Sequence, residues 1–175
     1  MTAPMDPELA ELAARLLERV EDPHVGLPLD VFLLVSRLTP LVNVDLLIRN
    51  DRGQSLLTWR ADEFYGPGWH IPGGIVRFKE SFARRLGAVA RAELGADVRF
   101  GPSPLAVNET IHPSRDKRGH FISFLYRCEL LTSPDPALQF AGGVPKNGEW
   151  HWHDRCPENL IRVHAIYRPY LEANT

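Results

Sequence analysis

Between His70 and Gly95 the chain reads HIPGGIVRFKESFARRLGAVARAELG, and no other stretch restricts the fold as much. A proline and two glycines lead into a charged, helix-starting segment. The residues that follow predict a helix beginning near Ser81 and ending before Gly95, a residue suited to a C-terminal cap. At about 100° per residue, Phe82, Leu86 and Val89 form one apolar stripe, with Arg84 and Arg91 on the opposite side. Glu93 falls on the apolar stripe, between the directions of Phe82 and Leu86. A carboxylate there requires a hydrogen-bond partner or a cation, unless it turns sideways to solvent at the helix end.

Gly73 and Gly74 are expected either to adopt positive φ or to let the backbone approach a ligand closely. A backbone carbonyl in that loop, with a carboxylate from the following helix, suits a hard cation such as Mg²⁺. Such an ion neutralises phosphate charge as a leaving group departs. Gly74, Glu80 and the Glu93-Leu94-Gly95 ending resemble, in their separations, the Nudix box, G-x5-E-x7-R-E-U-x-E-E-x-G-U with U bulky and apolar. The resemblance implies a Nudix-type α/β/α sandwich around a mixed sheet, α+β in class, and a Mg²⁺-dependent hydrolase with Mn²⁺ as the alternative ion. Ala88, Val89 and Ala92 stand where the family carries Arg, Glu and Glu. One inward carboxylate remains, enough for a single-metal site.

From about Thr39 to Trp152 the chain is similar to the GDP-mannose mannosyl hydrolase branch, notably in TPLVNVDLLIRNDRGQSLLTWR, GWHIPGGIVRFKE and ARAELG. That resemblance implies attack of water at a sugar carbon, with release of a nucleoside diphosphate. It implies metal binding by Gly73 and Glu93 and substrate contacts from Asp45 and Arg60. Ile75 occupies the place of a branch arginine, and Arg77, two residues on in an extended loop, is the candidate substitute. Lys146 and Asn147 stand near the branch's late metal ligand and base and reproduce neither, so the base is sought elsewhere.

IHPSRDKRGHF, with Arg115, Lys117 and Arg118, is either a loop that closes over a diphosphate or a solvated hairpin tip. In the first case His112 or His120 is the base, His120 being favoured because it begins an apolar strand. Trp69 and Tyr65 are expected to stack on a base or sugar, or to staple the glycine loop. Glu80 is expected to organise that loop and help position Glu93. Glu149 is a further metal or base candidate. His151 and His153 share one face of a strand, as ordinary half-buried residues do. No pair of histidines has helical metal spacing.

Around this segment the sequence predicts a hairpin from LVNVDLLIR, NDRG and QSLLTWR, strands near 105–111, 119–131 and 149–153, and a C-terminal helix from about Asn159 to Ala173, either continuous or bent or broken at Pro169. Asp6-Pro7 opens an amphipathic helix carrying Leu9, Leu12, Leu16 and Val20 up to about Glu21. A second helix starts near Asp30 and runs through Arg37. Residues 1–39 therefore read as an N-terminal helical extension for packing or dimerisation, and 40–175 as the Nudix domain. With a formal net charge of −2 over 175 residues, bulk attraction to nucleic acid is not expected. Apolar runs such as VFLLV and FISFLY are too short to span a bilayer, and no signal-peptide core is evident. Cys128 and Cys156 lie far apart, without disulfide or zinc spacing. A cytoplasmic homodimer acting on a small nucleotide sugar is the expectation, with a generic pyrophosphohydrolase or a nucleotide-sugar-binding module as alternatives.

Overall fold

A computed structural model describes residues 6–172. The helices are α1 (Pro7–Leu17), α2 (Leu29–Leu38), α3 (Phe82–Leu94) and α4 (Arg168–Glu172). The strands are β1 (Leu41–Ile48), β2 (Ser55–Arg60), β3 (Gly68–His70), β4 (Gly73–Ile75), β5 (Val98–Phe100), β6 (Ala106–Ile111), β7 (His120–Leu130) and β8 (Trp150–His153). One mixed sheet runs β4-β1-β7-β5, with β6 also paired to β7, and a second sheet runs β3-β2-β8. The parallel β1–β7 pair forms the centre of the larger sheet.

Alternation along β1 sorts the core into two layers. Val44, Leu46 and Ile48 pack with Leu86, Val89, Ala90 and Leu94 of α3. Leu47 instead joins Leu57, Trp69, Ile71, Leu125, Tyr167 and Leu171, beneath the C-terminal elements. Helices and turns thus cover both faces of the sheet, the expected α/β/α sandwich. Ser81 caps α3 by accepting from the Arg84 amide at 3.2 Å, and Gly95 closes it at φ 62°.

The glycine pair serves close approach alone, since neither glycine has positive φ. A Cβ on Gly73 would lie 2.2 Å from Asp45 Oδ1, where β4 lies against β1. One on Gly74 would lie 2.8 Å from Val89 Cγ2, where α3 crosses the strand. Both substitutions would push apart elements that the site needs together.

Three sequence expectations change. The strand-turn-strand at 41–60 opens after a single Arg49–Ser55 bridge, and β1 and β2 enter different sheets instead of forming a hairpin ladder. Both strands are buried almost throughout, so each requires neighbours of its own. The C-terminal helix is a 3-10 segment, Arg162–Tyr167, followed by the short α4; Pro169, which lacks an N–H, falls in its first turn. Its expected end at Ala173 lies outside the described residues. Helix α1 ends at Leu17, with Leu9 and Leu12 on the surface of the chain. Residues 1–5 of the expected extension also lie outside the described residues. No helix among the described residues is long and apolar enough to cross a membrane.

Candidate active site

The glycine pair of β4, the end of β2 and the loop before β7 meet around a cavity of about 140 Å³. Asp45, Arg60, Tyr65, Gly73, His112, Arg118 and His164 are among its lining residues. A second cleft of about 410 Å³ shares Tyr65, His112 and Val163 with the first and adds Arg115 and Arg162.

Glu93, in the last turn of α3, is not among the residues that line the cavity, but it bonds Gly73, which is. Its Oε1 accepts from the Gly73 amide at 3.2 Å, and its Oε2 lies 2.8 Å from Thr58 Oγ1. Thr58 Oγ1 is in turn 3.0 Å from His70 Nε2, and His70 Nδ1 is 2.8 Å from the Ile71 carbonyl. A carbonyl only accepts, so Nδ1 carries a hydrogen. Thr58 has one hydrogen for two neighbours, so the second contact needs a proton on Glu93 or on His70 Nε2. Burial, with Arg60 nearby, lowers His70 to about 3. Burial also pushes the Glu93 carboxyl up, against the pull of Thr58, Arg60 and the Gly73 amide. In the structure Thr58 donates to Glu93, with His70 Nε2 at 3.0 Å on the other side of the hydroxyl.

Asp45 is a second carboxylate, and it lines the cavity itself. Its Oδ2 accepts from Tyr167 Oη at 2.5 Å, while the buried Oδ1 faces Gly73 and makes no well-formed hydrogen bond among the described residues, the Asn43 side chain lying near the carboxyl. Burial is the main cause that raises Asp45 to about 7, and the charge of Glu93 adds to it. A buried carboxyl, Asp45, and a half-buried one, Glu93, fit a divalent cation, which lowers the proton affinity of both. No group of three His, Cys, Asp or Glu residues among the described residues could hold a metal by itself. The donor set therefore suits one Mg²⁺ that keeps water and substrate oxygens in its shell.

The positive charge comes from Arg60 and Arg118. Arg60 Nε pairs with Asp62 at 3.2 Å. Arg118 lies over three rings, 4.6 Å from the Phe64 centroid, 5.1 Å from Tyr65 and 5.6 Å from Phe32. Its backbone is in the left-handed region at φ 52°, unfavourable for a residue with Cβ. Two contacts hold it there: its N–H donates to Ser36 Oγ at 3.1 Å, and its carbonyl accepts from Tyr65 Oη at 3.3 Å. Ser36 is buried on α2, so the helical extension supports the wall of the cavity. Ser36→Ala is expected to raise KM about fivefold, with kcat little changed, because the Arg118 amide loses its acceptor. Steady-state kinetics checks this; an unchanged KM would show that Arg118 keeps its place without Ser36.

The remaining expected site residues lie elsewhere. Strand β4 ends at Ile75, so Arg77 does not repeat its direction; Arg77 is exposed and its amide donates to Glu80 at 3.0 Å. Glu80 binds Arg85 as well, with 2.6 Å to Nη2, and has no described bond to Glu93. Trp69, proposed as a substrate contact, packs in the core against Trp59 and His153. His120 sits opposite Ile111 in the β6–β7 ladder and bonds Glu109 at 3.1 Å. The alternating set Thr110, Phe121 and Ser123 faces the cavity, so parity turns His120 away from it. His112 remains, at the junction of the two clefts, with a buried Nδ1 that has no hydrogen-bond partner among the described residues. Glu149 accepts from the Lys146 amide, and Asn147 from the Ala61 amide, so both side chains serve their loop. The sequence reading missed Thr58, His70, His164 and Tyr167; HIPGG already places a histidine beside the glycines, a signal for His70 alone.

A family model described as "NUDIX domain" matches residues 39–155. The chain is 32% identical over 116 residues to "Low-salt glycan biosynthesis protein Agl8" of Haloferax volcanii, spanning 64% of this chain and 73% of that protein. Among solved structures, a MutT NUDIX hydrolase from Burkholderia pseudomallei superposes with TM-score 0.59 at 23% identity, covering 75% of this chain and 97% of that one. A UDP-X diphosphatase superposes with TM-score 0.56 at 20% identity, covering 97% of this chain and 82% of that one. These two structural likenesses are of fold, and the second takes in nearly the whole chain.

Proposed function

The chain belongs to the Nudix hydrolase family, and from that premise we propose that it hydrolyses a nucleoside-diphosphate sugar with Mg²⁺ or Mn²⁺, on a GDP-mannose-like substrate. The observation that carries this reading is the division of one cavity into two charges. Arg60 and Arg118 offer an anion site in the cavity that Asp45 also lines, with Glu93 bonded to the Gly73 amide behind it. A diphosphate and a divalent cation complete such a site jointly. Glu93 and the Gly73 carbonyl would hold the ion, which when bound neutralises charge on the departing diphosphate. Arg60 and Arg118 bind the phosphates, and Asp45 forms the wall behind Gly73. His112 is the proposed base, in preference to His120, because it faces both clefts. The adjoining cleft gives the rest of the nucleotide sugar a place to extend. The relative from Haloferax volcanii supports the substrate class, since glycan biosynthesis is built on activated sugars.

The reading includes a homodimer in the cytoplasm. It also joins the helices before residue 40 to the catalytic unit, through Ser36 and Phe32. Incubation with Mg²⁺ and a panel of nucleoside-diphosphate sugars in H₂¹⁸O tests it. Label in the released sugar is expected, as in attack at carbon. Label in phosphate would assign a pyrophosphohydrolase, and binding without product would assign a nucleotide-sugar-binding module.

A further inference from the structure

His164 lies in the 3-10 segment Arg162–Tyr167, far in sequence from the glycine loop, yet it lines the same cavity as Arg60 and Arg118. The Ile71 amide donates to its Nδ1 at 3.1 Å. A backbone N–H has a hydrogen to give and no lone pair to offer, so Nδ1 is the bare nitrogen. The hydrogen of this imidazole therefore sits on Nε2, for which no hydrogen-bond partner is found among the described residues. The ring is fixed from several sides. Its backbone N–H donates to the Ile161 carbonyl at 2.9 Å, and its ring meets those of His70 and Tyr167 edge-on at 5.7 and 5.2 Å. Burial, then His70 and Arg60, hold its pKa well below the ordinary value. A second proton on Nδ1 would also break the bond to Ile71.

We propose that His164 is a substrate-binding residue: a neutral imidazole with a fixed tautomer, whose Nε2–H donates to a phosphate oxygen of the diphosphate held by Arg60 and Arg118. This rests on the nucleotide-sugar reading above and adds to it a third, uncharged donor. Arginines attract any anion, whereas a single N–H of fixed direction selects an oxygen at one position. The same bond ties the C-terminal segment to the residue just before the Pro-Gly-Gly turn, so the donor is positioned by the loop that shapes the cavity.

The test uses the full chain labelled with ¹⁵N-histidine, and inorganic pyrophosphate as the probe. Proton–nitrogen correlation spectra at neutral pH are expected to show His164 protonated at Nε2 and bare at Nδ1, with the Nε2–H resonance moving as pyrophosphate binds. A proton on Nδ1 overturns the proposal, whatever the enzyme turns over. Two variants separate the donor from the scaffold. His164→Asn keeps an acceptor near the Nδ1 position for Ile71 but lacks the outer donor, and is expected to weaken pyrophosphate binding about tenfold. His164→Gln puts an amide N–H near the Nε2 position and is expected to recover most of that loss. Wild-type affinity in a folded His164→Asn chain overturns the proposal. Calorimetry in which neither pyrophosphate nor any nucleotide sugar binds the wild-type chain overturns the nucleotide-sugar reading itself, and the contact with it.

Discussion

Replacing Glu93 with glutamine is expected to lower kcat/KM by about 10²–10³-fold while leaving the metal-free chain at least as stable. The two halves of this expectation have different origins. Glutamine removes the negative charge that a divalent cation requires, and the other box positions, Ala88, Val89 and Ala92, supply no replacement carboxylate. Glutamine also offers an acceptor and a donor to the two neighbours of the acid. Its carbonyl accepts from the Gly73 amide, its N–H donates to Thr58, and Thr58 donates to His70. A carboxyl that burial disfavours when charged is then gone. Kinetics at saturating Mg²⁺ and thermal unfolding in EDTA measure the two effects separately. Full activity would remove Glu93 from the metal site, and a large drop in Tm would show that the hydrogen-bond chain is assigned wrongly.

Glu93 was legible because helix periodicity and the spacing from Gly74 both mark it, and both are local properties of the sequence. Strands β1, β2, β6, β7 and β8 were legible in the same way, whereas the three-residue strands β3, β4 and β5 were not. Pairing was not: NDRG reads as a hairpin turn, but whether β1 and β2 stay together depends on what else each strand must cover. The misplacement of His120 has a related cause. An apolar strand was visible from Phe121 onward, but the cavity face is chosen by the register that sets His120 against Ile111. Arg77 failed because strand parity was carried past the end of β4. His164 and Tyr167 meet Ile71 and Asp45 across 93 and 122 positions, and no local pattern announces such contacts. Ser36 on α2 was hidden likewise, since its partner is the backbone of Arg118.

Asp45→Asn is expected to stabilise the metal-free chain by about 3 kcal/mol at pH 8 and to leave it little changed near pH 3. In the folded chain Asp45 holds its proton to about 7, chiefly because burial disfavours the charge. In the unfolded chain the same group titrates near about 3.9. Between these values the folded state binds more protons than the unfolded state, so stability falls as pH rises. The full gap corresponds to about 4 kcal/mol, and the weaker bond from Tyr167 to a neutral acceptor offsets part of the gain. Below the unfolded value both states are protonated and the substitution relieves nothing. Urea titrations at the two pH values, in EDTA, measure the difference. Equal effects at both would mean that Asp45 ionises in the fold as easily as in the open chain. Added Mg²⁺ is expected to narrow the pH 8 advantage of the variant, because a cation bound in this wall stabilises the charged aspartate and not asparagine. A destabilising carboxylate with a buried oxygen beside Gly73 is then explained by what the wall holds when loaded, and the variant is expected to exchange activity for stability.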